Sequence, residues 1–258
     1  MSNVSAGVPQ GSVLEPLLFF TYINDIGVKH LCLTRLFADD TSLWYSSTSH
    51  DTLELSINDD LNKLSIWSEK WLMSFNPDKT EIMICSNMEV PNNLSCSFNG
   101  KLISNKSSHK HLCATLSHDA KWTEHVEHIA KSISKHLGVL RKFKYKMNRQ
   151  NLKKMYLVYI RPIFVYAYEA WENCGTCHSN KLEKIQLDAA RNVTGLPIFT
   201  RTDFLYFETG WEPIHIRRHR RKLQLFYKIY NGLAPQYLHD LISTTINQST
   251  TIYVMAAI

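Results

Sequence analysis

Leu36-Phe37-Ala38-Asp39-Asp40-Thr41-Ser42-Leu43-Trp44-Tyr45 is the stretch on which the fold turns. Leu31 to Phe37 and Thr41 to Tyr45 are β-prone runs joined by Ala38, Asp39 and Asp40, which predicts a hairpin with acidic residues at its tip. Adjacent carboxylates repel, and one tends to keep its proton unless a cation shares the site. Magnesium favours carboxylate oxygens combined with substrate phosphates over a full protein cage. Such a tip therefore suits phosphoryl transfer with two metal ions. An isolated Asp-Asp pair is also ordinary turn chemistry, so its neighbours decide between the two readings.

Upstream, Gly7 to Gly11 is loop-like and contains Pro9, and Ser12 is placed to cap a helix bearing Leu14, Leu17, Leu18, Tyr22 and Ile23. Pro16 falls in its first turn, where proline costs little. Downstream, a helix is predicted from about Asp51 to Trp71, with Leu53, Ile57, Leu61, Leu64 and Trp67 on one face. A turn at Phe75-Asn76-Pro77-Asp78 leads into a strand from Thr80 to Ile84. Asn99-Gly100 is the pair best suited to a two-residue type I′ hairpin turn. One further strand is predicted over His109 to Leu116. Then the character changes. Trp122, Val126, Ile129, Ile133, Leu137, Leu140 and Phe143 form a helical stripe. Tyr156 to Trp171, kinked at Pro162, and Leu182 to Val193 and Ile214 to Tyr230 complete a helical series. The reading is an α+β segment over 1–117 followed by an all-helical segment over 118–258.

These residues resemble the reverse transcriptases of non-LTR retrotransposons. GVPQGSVLEPLLFFTYINDI from Gly7 is similar to the family's substrate-side loop and helix, and LFADDTSLWYSS from Leu36 to its catalytic hairpin. WLMSFNPDKTEIM from Trp71 resembles the next motif, and FNGKLISNKSSHKHLCATLSHDAKW from Phe98 the primer-gripping region. MYLVYIRPIFVYAYEAW, KLEKIQLDAARNVTGL and YKIYNGLAPQYL continue the pattern in the family's order, so that it covers about residues 5 to 242.

The resemblance implies an incomplete polymerase palm (catalytic hairpin, packing helix and primer-grip strands) followed by a thumb-like region. It implies an RNA-directed DNA polymerase, a nucleotidyltransferase acting with two magnesium ions held by Asp39 and supported by Asp40. Gln10, Gly11, Phe37 and Ala38 would line the nucleotide and template pocket, and Lys79 would meet the pyrophosphate leaving group. His109, Lys110, His111 and Leu112 would grip the primer. The implied partners are an RNA template, a DNA primer or RNA–DNA hybrid, and deoxynucleoside triphosphates.

The pattern also breaks. The family's first aspartate lies on a strand upstream of the glutamine loop, and no Asp or Glu precedes Glu15 here. Glu15 and Cys113 stand where the family usually has glycine. The chain is therefore expected to be a fragment, inactive alone, with an exposed sheet edge and apolar face. The alternative is a non-catalytic remnant that binds nucleic acid electrostatically.

Net charge is +6 and unevenly spread. Lys131 to Lys154 carries nine Lys/Arg and no acid, and Lys131, Lys135, Arg141, Lys142, Lys144, Lys146 and Arg149 are candidate contacts to a nucleic-acid backbone. A second basic cluster is Arg217, Arg218, Arg220, Arg221 and Lys222. A hydrophobic fraction of 44% supports a real core and argues against disorder. Six scattered cysteines, an N-terminus without a signal-peptide pattern and no 18-residue apolar run predict an intracellular protein, nuclear or cytoplasmic, neither secreted nor membrane-spanning. Cys174-Gly175-Thr176-Cys177-His178 matches C-x-x-C-H, but between two helices it reads as a connecting loop rather than a haem or zinc site. His125 and His128 read as ordinary helix positions rather than a metal pair.

Overall fold

The computed structural model describes residues 11–86, 93–171, 173–243 and 252–258. The chain divides into two compact units, Met1–His109 with Ser117–Ala120 and Ser249–Ile258, and Lys110–Leu116 with Lys121–Gln248. The fold is mixed α and β, and no helix among the described residues is long and apolar enough to cross a membrane.

The first unit opens with helix α1, Glu15–Ile23, followed by strands β1, Leu33–Phe37, and β2, Asp40–Ser47, and helix α2, His50–Lys70. Strand β3, Glu81–Cys85, and the short strands β4, Ser97–Phe98, β5, Lys101–Leu102, and β6, Ser104–Asn105, follow. The sequence Ser12-Val13-Leu14-Glu15 explains how α1 starts. The N-cap is Leu14 rather than the expected Ser12, which sits two residues earlier: Ser12 Oγ accepts from Glu15 N at 3.2 Å and the Glu15 carboxylate accepts from Gly11 N. Asn99 and Gly100 both adopt positive φ, 48° and 76°, as a type I′ turn between β4 and β5 requires. The α2 stripe is as expected: Leu53, Ile57, Leu61 and Leu64 are buried against Leu43, Ile82 and Ile84.

The C-terminal segment departs from the all-helical expectation. Ile252–Ala257 is a strand, β9, and it belongs to the first unit. The sheet order is β1-β2-β9-β3-β6, with β9 antiparallel to both β2 and β3. Val254, Met255 and Ala256 are all at most 1% exposed, and Val254 and Ala256 join the α2-facing core. The middle of the sheet is thus closed. Strand β1 is at the sheet edge, with Leu33 and Phe37 more than half exposed, and Leu17 and Phe20 of α1 are also exposed.

Leu31 and Cys32 were expected in a strand, but their N–H groups are held by the buried Asp60 carboxylate at 3.1 and 2.6 Å. Lys63 pairs with the same carboxylate at 2.9 Å. Burial pushes the Asp60 carboxyl up, but the hydrogen bonds from Lys63, Cys32 and Leu31 outweigh it, and the net shift is downward. A depressed folded-state pKa contributes stability that is present above the unfolded value and is lost as pH falls through the folded one. We therefore expect the first unit to lose stability progressively below about pH 4, with Asp60→Asn flattening that part of the profile. Asp60→Asn should also cost about 2 kcal/mol at neutral pH, read from urea melts. Equal acid sensitivity in the variant would remove Asp60 as its source.

The second unit begins in the hairpin of strands β7, Ser108–His111, and β8, Ala114–Ser117. The single strand expected over His109 to Leu116 is broken because Leu112 and Cys113 form its two-residue turn, with φ of 44° and 65°. Helices α3, Thr123–Phe143, and α4, Arg149–Met155, follow, then a π-helical segment, Tyr156–Ile160, and α5, Arg161–Val165. The predicted kink at Pro162 takes this π form: Arg161 N–H reaches Tyr156 O five residues back, immediately before the residue that lacks an N–H. Helices α6, Tyr168–Trp171, α7, Thr176–Thr194, α8, Thr202–Thr209, α9, Ile214–Tyr230, and α10, Gln236–Ser243, complete the unit.

The predicted α3 stripe is buried at Val126, Ile129, Ile133, Leu137 and Leu140, whereas Phe143 is 38% exposed. Tyr156 stacks on Trp211 at 3.7 Å and donates to Gln186 Oε1 at 2.8 Å. Gln186 Nε2 in turn donates to Glu212 O at 2.8 Å, so one buried polar chain ties three elements together.

Candidate active site

The acidic tip is tighter than expected. Phe37 pairs directly with Asp40, so the turn is two residues, Ala38 and Asp39, and Asp40 already belongs to β2. Ala38 has φ 51° while Asp39 is not in the positive-φ region, the sign pattern of a type II′ turn. Phe37, Ala38, Asp39 and Asp40 are all exposed. Among the described residues neither carboxylate makes a hydrogen bond or ion pair, so both keep their oxygens available to a cation.

Strand register fixes what lies beside them. Ser42, Ala257 and Glu81 are level across β2, β9 and β3. The register ends at Glu81, and Lys79 lies two residues before it, outside the paired strand. Lys79 ends the 3₁₀ turn Pro77–Lys79 and is exposed; Asn76 Oδ1 accepts from Asp78 N to hold that turn, as the Asn-Pro-Asp sequence anticipates. Between β2 and β3 lies β9, and Ile258, just past its end, exchanges backbone hydrogen bonds with Thr41 at 2.8 and 3.2 Å. Residues Tyr253 to Ile258 contain no acid.

As donors for a divalent cation, Asp39 and Asp40 are hard oxygen ligands of the right kind. Among the described residues no group of three His, Cys, Asp or Glu side chains could close around a metal. The pair fits part of a coordination sphere. Gly11 has φ 80° with open space around it, so its backbone conformation, not crowding, requires glycine. Gln10 lies outside the described residues.

The four expected primer-grip residues are split between the units: His109 ends one, and Lys110, His111 and Leu112 begin the other. His109 Nδ1 lies 3.0 Å from the Glu81 carboxylate, and Leu112 O accepts from Tyr166 Oη at 2.8 Å. Leu112-Cys113 occupies a turn that asks for Asn-Gly. We expect Cys113→Gly to stabilise the second unit by about 1 kcal/mol, because it removes left-handed strain. A lower thermal midpoint in the variant would instead assign the Cys113 side chain a supporting role.

Of the basic residues expected on a nucleic-acid face, Lys131, Lys135, Lys142 and Lys146 are exposed and Lys144 is partly so. Arg141 pairs with Asp188, and Arg149 pairs with Glu208 at 2.8 Å, so these two are engaged within the protein. The Cys174 to His178 stretch brings no metal cage together: Cys174 is buried, Cys177 is exposed, and His178 contacts Thr123 Oγ1 at 3.2 Å. Cys177 and His178 lie in the first turn of α7 rather than in a loop. His125 is buried between Trp122 and Trp171 and accepts from Thr115 N at 3.2 Å, while His128 is exposed. Burial, then His128, push the His125 imidazole below its usual value.

Residues 2–139 match the family model described as reverse transcriptase (RNA-dependent DNA polymerase). The chain belongs to the reverse transcriptase family. Proteins to which it is similar are RNA-directed DNA polymerases from transposons and mobile elements. "Probable RNA-directed DNA polymerase from transposon BS" of Drosophila melanogaster is 26% identical over 229 residues, 83% of this chain and 25% of that protein. The RNA-directed DNA polymerase from mobile element jockey of the same species is 26% identical over 215 residues, 77% of this chain and 23% of that protein. The jockey protein of Drosophila funebris is 25% identical over 214 residues. The chain spans about a quarter of the length of the curated relatives it matches. No solved structure matches.

Two features of this chain escaped the sequence reading. Ser12 was expected near the start of the helix, but the Glu15 carboxylate bond to Gly11 N was not. The seat of β9 between β2 and β3 had only a run of apolar residues to signal it.

Proposed function

We propose that this chain is part of a retrotransposon RNA-directed DNA polymerase and contributes the carboxylate pair of its two-metal nucleotidyl-transfer site. The observation that carries the reading is the hairpin tip: two exposed carboxylates that make no hydrogen bond or ion pair among the described residues. Asp39 would hold both ions and Asp40 would support it; Lys79 would neutralise charge on the departing pyrophosphate. Divalent ions bound there would offset the charge that develops on the transferring phosphate. Gln10, Gly11, Phe37 and Ala38 would border the incoming nucleotide, and His109 to Leu112 would hold the primer. The exposed lysines of α3 and its C-terminal extension would run along the phosphates of an RNA–DNA hybrid, recognised by shape rather than by bases.

The same reading makes the chain inactive by itself. Positioning supplies most of the rate in phosphoryl transfer, and among the described residues no third ligand joins the carboxylate pair to fix two ions. The experiment is primer extension on an oligo-primed RNA template with magnesium, run on the purified chain, on Asp39→Ala, and on a longer polypeptide that adds the upstream region of a jockey-type relative. We expect no extension from the chain alone and Asp39-dependent extension from the longer polypeptide. Magnesium-dependent extension by the chain alone that disappears in Asp39→Ala would refute the inactivity. A longer polypeptide indifferent to Asp39 would refute the site.

A further inference from the structure

We propose that Arg217, Arg220 and Arg221 of α9, together with Arg161 at the start of α5, form a binding site for the phosphodiester backbone of a nucleic-acid strand. Positions 217, 220, 221 and 224 follow i, i+3, i+4, i+7 spacing and so share one face of α9. That face, with Arg161, Pro162 and Val165, lines a concave site of about 510 Å³.

Its charge is not balanced from within. The carboxylate in its wall is Glu212, already engaged by Arg220. Arg221 reaches Glu169 only at 3.9 Å. Among the described residues Arg161 and Arg217 have no ion-pair partner, and both are only partly exposed. Burial pushes the Arg217 guanidinium below the usual arginine value; Tyr156 and Glu212 oppose this, while the charges of Arg161 and Arg221 add to it. Like charges drawn together in a partly buried concavity destabilise the empty protein, and an anion arriving there relieves both the repulsion and the lost solvation. Arg218, next along the helix, faces elsewhere: its guanidinium lies 4.3 Å from the Trp171 ring, buried.

The ligand class follows from the donors. Guanidinium groups present paired N–H donors that match phosphate oxygens bidentately. Two unpaired guanidiniums flanked by two rim arginines suit successive phosphates of a strand, while Pro162 and Val165 offer apolar surface to the sugar edge. The site shares no residue with the Lys131 to Arg149 run or with the carboxylate tip.

The test is fluorescence anisotropy of a labelled RNA–DNA hybrid across a salt series, without divalent ion or nucleotide, so that the readout is blind to whether the carboxylate pair works. The pair of substitutions Arg161→Gln and Arg217→Gln should lower the slope of log affinity against log salt by about two, one for each phosphate that the variant no longer neutralises. Arg161→Gln alone should lower it by about one and keeps the measurement decisive if Arg217→Gln disturbs the fold, which a thermal melt reports. Arg161→Lys should restore part of the loss. An unchanged slope in a folded double variant overturns the proposal. So does a double variant that loses binding of inorganic tripolyphosphate while its hybrid slope stays at the wild-type value, because the site would then serve free polyphosphate.

Discussion

Val254→Asp unfolds the first unit. Val254 is 1% exposed in the centre of the five-stranded sheet, paired with Tyr45 on one side and Ile84 on the other. It packs in the same core as Leu43, Leu61 and Ile82. The substitution removes about 2 kcal/mol of apolar burial and places a carboxylate inside that apolar core. An unpaired buried charge costs on the order of 3–5 kcal/mol or more. Together these approach the whole stability of a typical domain. Circular dichroism and urea titration should show loss of the first unit's cooperative transition, with the second unit's retained. Tyr253→Asp is the control, since Tyr253 is 56% exposed on the same strand and should cost less than about 1 kcal/mol. Equal tolerance of both substitutions would mean that β9 is not a structural strand in solution.

The second large effect is chemical. In a polypeptide that completes the metal site, Asp39→Ala should reduce primer extension on the order of 10³-fold, the scale of losing one electrostatic element of a transfer site. Its thermal midpoint should not move, because the Asp39 side chain is exposed and, among the described residues, makes no hydrogen bond or ion pair that the change would break. Asp39→Asn should lose nearly as much, since a neutral amide is a poor ligand for a hard divalent ion. Retention of a tenth or more of the rate would sink the assignment. A large fall in thermal midpoint would make Asp39 a structural residue instead.

What the sequence made legible was local. The α2 and α3 stripes, the Asn99-Gly100 turn and the acidic hairpin all rest on periodicities or turn chemistry contained within a few residues. The errors came where tertiary partners decide. Leu31 and Cys32 look like strand residues until the Asp60 carboxylate, far away in sequence, takes their N–H groups. Leu112-Cys113 lacks the residues that announce a hairpin turn, yet adopts its backbone at the expense of strain. The apolar run from Ile252 is too short and too far from its partners for any local pattern to reveal a strand at the centre of the sheet. At the site, the carboxylate pair was readable as residues. That Glu81 comes level with Ser42 was not, because the level is set by the register across β9.

The placement of β9 also imposes an order on synthesis. A growing chain releases β2 and β3 from the ribosome long before the strand that must lie between them, and Trp44 waits for Met255 across most of the polypeptide. Closing so long a loop makes this pairing slow relative to the helical contacts of the second unit, which are local and free to form first. Until then β2 offers an open flank to other nascent chains, a hazard that chaperones would have to cover. Translation that stops anywhere between the hairpin and β9 would therefore yield a chain that carries both aspartates but lacks the strand that holds their hairpin in place.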